Sequence, residues 1–508
     1  MKNKFIIAGI LVFAFILRFW GIDYDLPYIL HPDEPTNFEV SRRMFAYGTL
    51  NPNFFAYPSL SFYANFLVIG PYYLYGKIFG FIHTTYDILS PDILAFGIAK
   101  TFQPNLILLS RLVSVIFGLG YVLFSYLITR RLYSNRFIQF YSALAIACCP
   151  TIVTLSQQII PDVSATFFIL GAFYFSVLIF QEGKNWHYIA AGLFVGFAAS
   201  CKYNAALIGI VVPAAHLLRN GISGWKNINP YKAGLFSILG FLLTSPYTYI
   251  ERKLFLYQLQ SEAAHYANGH LGMEGNILHW YFNHLWENLY ILFPFAIFQI
   301  FLGLVRRSKE SILLCIFPIL YFGFISSFIV RNDRTILPII PFLLILASTF
   351  LNFLFEIISK YYRERKFIPI LLGSISLIIL LPTTFKTVEN NILRGSPNPR
   401  IEAAEWIKSN VPVGSKIAME HYSPYIDSKE YKLTIFDPIA KHSISWYLDQ
   451  KFDFIIVSKL AYARYLAKPE KYPSHVRNYD DIFHSLNVIK TFSDERKEEI
   501  RIYKVVSK

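Results

Sequence analysis

From Phe5 to Phe385 one apolar segment follows another, and this succession limits the fold more than any other feature of the chain. The first, Phe5 to Ile22, is long enough at about 1.5 Å per helical residue to cross the hydrocarbon core of a bilayer. Further segments follow at about 106–128, 137–155, 163–180, 188–200, 203–218, 233–250, 289–305, 312–329, 336–358 and 367–385, which makes roughly eleven spans by length. Only 16% of the 508 residues are charged, against roughly 25% in an ordinary soluble domain. The chain therefore reads as an α-helical polytopic membrane protein. Its net charge of +14 would suit a nucleic-acid partner, but the basic residues lie between apolar runs or in the tail and form no basic stripe. Nucleic acid is excluded on that ground.

Lys2 and Lys4 ahead of the first run resemble the start of a signal peptide, yet Arg18-Phe19-Trp20-Gly21-Ile22 has no small-residue cleavage pattern, so the run is read as an uncleaved span. The four cysteines, Cys148, Cys149, Cys201 and Cys315, lie in or beside apolar segments without metal-ligand spacing or a disulfide framework. Basic residues fall on alternate connections: Lys2/Lys4, Arg130/Arg131/Arg136, Lys184, Arg219/Lys226/Lys232, Arg306/Arg307/Lys309 and Lys360/Arg363/Arg365/Lys366. By the positive-inside rule that face is cytoplasmic, and the other carries the long first loop (23–105), Asp162, Lys202, the loop from Glu251 to Glu287, the turn Arg331–Arg334 and the tail.

Within the first loop, residues 34–47 read as an amphipathic helix and 51–57 as an irregular turn. Residues 58–82 read as an aromatic helix lying in the interface, because Gly70-Pro71 would interrupt a spanning helix. From about Asn390 the composition becomes soluble. Residues 416–419, 432–436, 454–458, 487–492 and 500–505 look like strands with helical stretches between them, a small extracytoplasmic α/β domain over 390–508 behind a membrane domain over 1–389.

The residues with chemical potential gather on the presumed outer face. Asp33 and Glu34 follow the first span directly. They suit a helix start, and equally a general base, since carboxylates beside hydrocarbon are where raised pKa values arise. Asp162, in Pro161-Asp162, fits a helix-start turn, or a ligand for sugar hydroxyls, or, with Asp33, a divalent cation. Lys202 lies where the positive-inside rule makes lysines scarce, and snorkelling and phosphate binding both explain it; Arg331 and Arg334 suit a phosphate too, or an Arg331–Asp333 contact or simple loop solvation. The loop 251–287 is rich in histidine, His265 included, but its spacing matches no zinc pattern and reads better as an aromatic lid.

Taken together, these features resemble the GT-C membrane glycosyltransferases of the protein O-mannosyltransferase and lipid A aminoarabinose transferase branch. The likeness rests on the first span followed by Asp33-Glu34, on Tyr57-Pro58-Ser59-Leu60 before the aromatic helix, and on Ser110-Arg111-Leu112. It continues through Pro161-Asp162, Lys202-Tyr203-Asn204, Arg334-Thr-Ile-Leu-Pro338-Ile-Ile-Pro341 and Arg400-Ile-Glu-Ala-Ala-Glu-Trp-Ile. The resemblance implies transfer of a monosaccharide from a polyprenyl-phosphate donor to a hydroxyl on a lipid, glycan or protein, at the outer face of a bacterial inner membrane. It implies that Asp33 is catalytic, that Asp162 is the acid of the second external turn, and that Lys202 meets the lipid phosphate. To these we add, from the residues themselves, Glu34 beside Asp33 in catalysis and Asp162, Tyr203, Arg331, Arg334, Tyr57 and His265 in substrate binding. The extra loop domains of eukaryotic protein mannosyltransferases have no counterpart in these loops. A transporter or lipid-linked-sugar flippase would also explain the spans, although no inverted repeat accompanies them. An inactive binding or scaffold protein is the remaining alternative.

Overall fold

A backbone surrounded by apolar side chains satisfies its polar groups most readily as helix, and this chain does so from its first residues. The computed structural model describes residues 2–89, 92–361, 367–496 and 498–505; Arg363, Arg365 and Lys366 of the last basic connection lie outside these ranges. Helices α1 (Lys2–Phe19), α2 (Asp33–Ala46) and α3 (Leu60–Phe79) come first. The expected interruption at Gly70-Pro71 does not occur, because α3 runs through Pro71 unbroken. A single proline removes one backbone hydrogen bond, which a twenty-residue helix can lose. The stretch read as plain loop beyond it holds a hairpin, β1 (Asp92–Ala95) and β2 (Ile98–Lys100), turning where Gly97 takes φ 72°.

Then follow α4 (Pro104–Leu132), α5 (Arg136–Cys148), α6 (Pro150–Ser156), α7 (Pro161–Gln181), α8 (Asn185–Cys201), a 3-10 turn over Tyr203–Ile210, α9 (Val211–Asn220), α10 (Asn229–Thr244) and α11 (Tyr247–Ile250). The rest of the helical part is α12 (Arg252–Asn268), α13 (Ile277–Leu289), α14 (Leu292–Arg306), α15 (Lys309–Ile325), α16 (Asp333–Ile336), α17 (Ile340–Tyr361) and α18 (Ile368–Gly395). The segment 137–155, read as one straight span, is bent, with α5 meeting α6 at 58°; α13, within the stretch read as external loop, meets α14 at 113°. Pro150 opens α6 and Tyr290, at φ 49°, closes α13, which accounts for the two breaks. Among the described residues four helices are long and apolar enough to cross a membrane, or six with each bent pair taken as one span. The larger count from sequence includes shorter helices, such as α8 with 17 residues and α10 with 16.

The chain divides into two compact units, one of Met1–Ile22, Val40–Tyr75 and Leu109–Asn391, the other of Asp23–Glu39, Gly76–Leu108 and Ile392–Lys508. In the helical unit, α8 lies directly against α10. A Cβ on Gly192 would stand 2.2 Å from the Ala233 carbonyl oxygen, and one on Gly196 2.4 Å from that of Ser237. Small residues four apart let helix backbones approach this closely. The buried Arg18 guanidinium donates to the carbonyls of Ala147 (3.1 Å) and Ile146 (3.3 Å), tying α1 to α5.

The second unit adds α19 (Pro399–Asn410), β3 (Lys416–Glu420), β4 (Lys432–Phe436), α20 (Ile444–Asp449), β5 (Phe454–Ser458), α21 (Lys459–Leu466), α22 (Pro473–Ser485), β6 (Asn487–Ser493) and β7 (Glu499–Lys504). The sheet order is β4-β3-β5-β7-β6, with β3 parallel to β4 and β5, and β7 antiparallel to both its neighbours. Two pieces of the first loop belong to this unit. Arg400 holds them, donating to the carbonyls of Leu30 (3.2 Å) and Gly97 (3.3 Å) while pairing with Glu498 (3.1 Å).

Candidate active site

Asp33 and Glu34 open α2 with different surroundings. Glu34 is fully buried and accepts a hydrogen bond from the Tyr24 hydroxyl at 3.2 Å. Asp33 is half-buried; its backbone N–H donates to His31 Nδ1 (3.3 Å), and its carbonyl accepts from Asn37 Nδ2 (3.0 Å). Both acids lie in the first turn of α2, where the helix dipole favours negative charge. Of the two, Asp33 is the one a substrate can reach.

In the helical unit, two helix ends build a candidate site of their own. Pro161 pre-sets the first turn of α7, which puts Asp162 at its second position. Lys202 terminates α8, in extended backbone ahead of the 3-10 turn. The Lys202 ammonium donates to Asp162 Oδ1, and the pair is buried, with 11% and 2% of the two side chains exposed. A lone charge at this depth would cost several kcal/mol, so each ion is held by the other.

Beside that pair lies a cavity of about 480 Å³ whose lining includes Tyr57, Lys202, Tyr203, Glu262, Tyr266 and Phe328. Its wall is braced from three elements. Tyr203 Oη donates to the Phe55 carbonyl (2.9 Å), the Phe55 N–H donates to Gln258 Oε1 (2.5 Å) on α12, and the Ser59 N–H to Ser245 Oγ (3.2 Å). Asn204 Nδ2 reaches the Tyr321 hydroxyl at 3.2 Å. The arrangement is an apolar cleft with a buried cation at one point of its wall. Chemically, it can take a long hydrocarbon ended by an anion.

The other predicted residues divide. Arg334 is close enough for its charge to act on Lys202, and its neighbour Thr335 lines the cavity. Arg331 instead spends its guanidinium on the backbone carbonyls of Met273 (2.6 Å) and Glu274, clamping the loop between α12 and α13. His265 stacks with His270 at 5.4 Å and sits edge-on to Tyr266, which does line the cavity. Partial burial and the nearby His270 lower the His265 pKa. Asp162 meets Lys202, and among the described residues no group of three or more His, Cys, Asp or Glu side chains could hold a metal ion. Sequence reasoning passed over Tyr266 and Tyr321; a tyrosine in an aromatic-rich span carries no signal that separates a wall residue from a core residue.

Residues 99–250 match the model of a family described as dolichyl-phosphate-mannose-protein mannosyltransferase. No curated protein sequence matches the chain. In fold it is similar to ArnT from Cupriavidus metallidurans bound to undecaprenyl phosphate, with a TM-score of 0.57 and 14% identity over 99% of this chain and 98% of that one. It is also similar to the Archaeoglobus fulgidus oligosaccharyltransferase AglB, solved with an inhibitory peptide and a dolichol-phosphate; there the TM-score is 0.54 and the identity 12%, over 94% and 71% of the two chains. An Archaeoglobus fulgidus oligosaccharyltransferase in complex with Zn and sulfate matches at a TM-score of 0.54 and 11% identity, over 92% of this chain and 70% of that one. The resemblance to the GT-C glycosyltransferases read from the sequence is borne out, and the fold is theirs.

Proposed function

We propose that this protein transfers a monosaccharide from a polyprenyl-phosphate donor to a hydroxyl of a lipid, glycan or protein acceptor, with inversion at the anomeric carbon. The observation that carries the reading is the buried Lys202–Asp162 pair in the wall of an apolar cleft. Support comes from the family model over 99–250 and from a fold shared with proteins solved holding undecaprenyl phosphate or a dolichol-phosphate. In this reading the lipid tail lies in the cleft, and Lys202, aided by Arg334, meets the phosphate. The acceptor oxygen attacks the anomeric carbon, the bond from that carbon to the phosphate oxygen breaks, and the phosphate leaves with the electron pair. Asp33 takes the acceptor's proton. A phosphate is a good leaving group once its developing charge is met, so cations on its side and one base on the other suffice. Tyr57 and Tyr203 flank the sugar, Glu34 fixes the start of α2, and Arg331 acts through the loop it clamps. No step is routed through a divalent cation.

The fuller topology we propose is about eleven spans in a bacterial inner membrane, with the C-terminal unit on the outer face. The test is reconstituted full-length protein supplied with a panel of polyprenyl-phosphate sugars, following release of free polyprenyl phosphate. Wild type releases it with one donor and Asp33→Asn does not. Near-normal turnover by Asp33→Asn would remove the base, and no release with any donor from protein that binds them would favour a flippase.

A further inference from the structure

Away from the cleft, the helical unit has a second cavity, a groove of about 650 Å³ walled by α1, α5 and α18. Its walls are apolar: Ile6 and Ile10 on one side, Phe137, Phe140 and Leu144 on another, Leu377 on the third. The spacings of three, four and seven residues place each set on one helix face. The floor is closed by protein, since Tyr141 is buried and its hydroxyl donates to the Ser376 carbonyl at 3.2 Å. The opening is real space, because a Cβ built on Gly373 meets nothing within 4 Å.

One end of the groove differs from the rest. Asn3, in the first turn of α1, and Arg136, the first residue of α5, both line it there, and exposed Lys4 follows Asn3. Two helices of 18 and 13 residues thus begin at the same end, each bringing the positive end of its dipole. Asn135 caps α5 by accepting the Phe137 N–H, and Arg136, exposed and in the lining, is the cationic side chain of the groove. No acidic residue is among the described residues of the lining.

We infer that this groove is a binding site for an anionic diacyl phospholipid, with an acyl chain along α1, α5 and α18 and the headgroup phosphate at Arg136. A zwitterionic lipid brings its own ammonium to a cationic end, whereas an anionic one does not, so the charge selects the anionic head. The site is separate from the donor cleft and does not depend on the transferase reading, since it shares no residue with that cavity.

The test uses full-length protein in nanodiscs of equal parts phosphatidylglycerol and phosphatidylcholine, with retained lipid counted by native mass spectrometry. Wild type keeps phosphatidylglycerol in preference to phosphatidylcholine. Arg136→Gln lowers that retention roughly fivefold, the effect of about one surface charge. Gly373→Leu fills the groove from α18, improves helix propensity and meets no protein atom at its Cβ, so it loses the lipid without unfolding the protein. Equal retention of both lipids by wild type would overturn the assignment. So would phosphatidylglycerol held undiminished by either variant, because the lipid would then lie elsewhere.

Discussion

Each unit buries a carboxylate, and the two are stabilised in opposite ways. In the helical unit Asp162 faces the ammonium of Lys202, while in the second unit Glu420 accepts only neutral donors. These are the N–H groups of Ser458 (2.9 Å) and Ile439 (3.1 Å) and the hydroxyl of Tyr479 (2.6 Å). Burial pushes the Glu420 pKa up to about 7, although its hydrogen bonds pull the other way. A cation can exchange one anionic partner for another, so the Asp162–Lys202 pair is a place where a phosphate can compete. Three donors fixed on a sheet, a turn and α22 offer nothing to exchange, and Glu420 serves as a structural clasp.

The largest effect that could break this contrast is removal of one ion. Lys202→Met leaves Asp162 buried without its cation and is expected to cost about 3–5 kcal/mol, read as thermal unfolding in detergent. Adding Asp162→Asn should return most of that stability. A double variant as unstable as the single one would mean that the pair is not what makes burial tolerable here.

Glu420 gives the next effect. Its folded pKa stands above the ordinary value of 4.5, so between 4.5 and about 7 the folded state holds a proton that the unfolded chain has released. Its stabilising share is full below 4.5 and is lost as pH rises through about 7, at most about 3 kcal/mol. Hydrogen exchange in the full chain, corrected for intrinsic rates, should show β3 and β5 amides less protected at pH 8 than at pH 5. Equal protection would mean that Glu420 does not titrate across this range.

A smaller effect sharpens the same comparison from a distance. Gly196→Val forces a side chain against the Ser237 carbonyl of α10 and should cost about 1–3 kcal/mol, shifting the helix that ends at Lys202. Donor affinity should fall several-fold with it. Gly234→Ala, on the same α10 where a Cβ meets nothing within 4 Å, should leave affinity and stability unchanged. If both variants behave alike, the fit between α8 and α10 does not position Lys202.

What could be read from the sequence follows the range of the interactions. Strands β4 and β5 were legible to the residue, because alternation and β-branched composition are local signals. The place of Lys202 at a helix end was legible too. Its partner was not: sidedness put Asp162 and Lys202 on one face, but a contact across forty residues is set by packing. The membership of the first loop was equally hidden, since Arg400 binds carbonyls at Leu30 and Gly97, more than 300 residues away. Proline signals worked in one direction only. Pro150 breaks a segment that had been read as straight, whereas Pro71 leaves its helix whole.

Whether Lys202 meets the lipid phosphate is tested most directly by the affinity for polyprenyl phosphate of wild type and of Lys202→Met/Asp162→Asn, both in nanodiscs. If it does, the double variant, folded but without the cation, binds about tenfold or more weakly, the worth of one charge-assisted hydrogen bond. Unchanged affinity in that variant would contradict it.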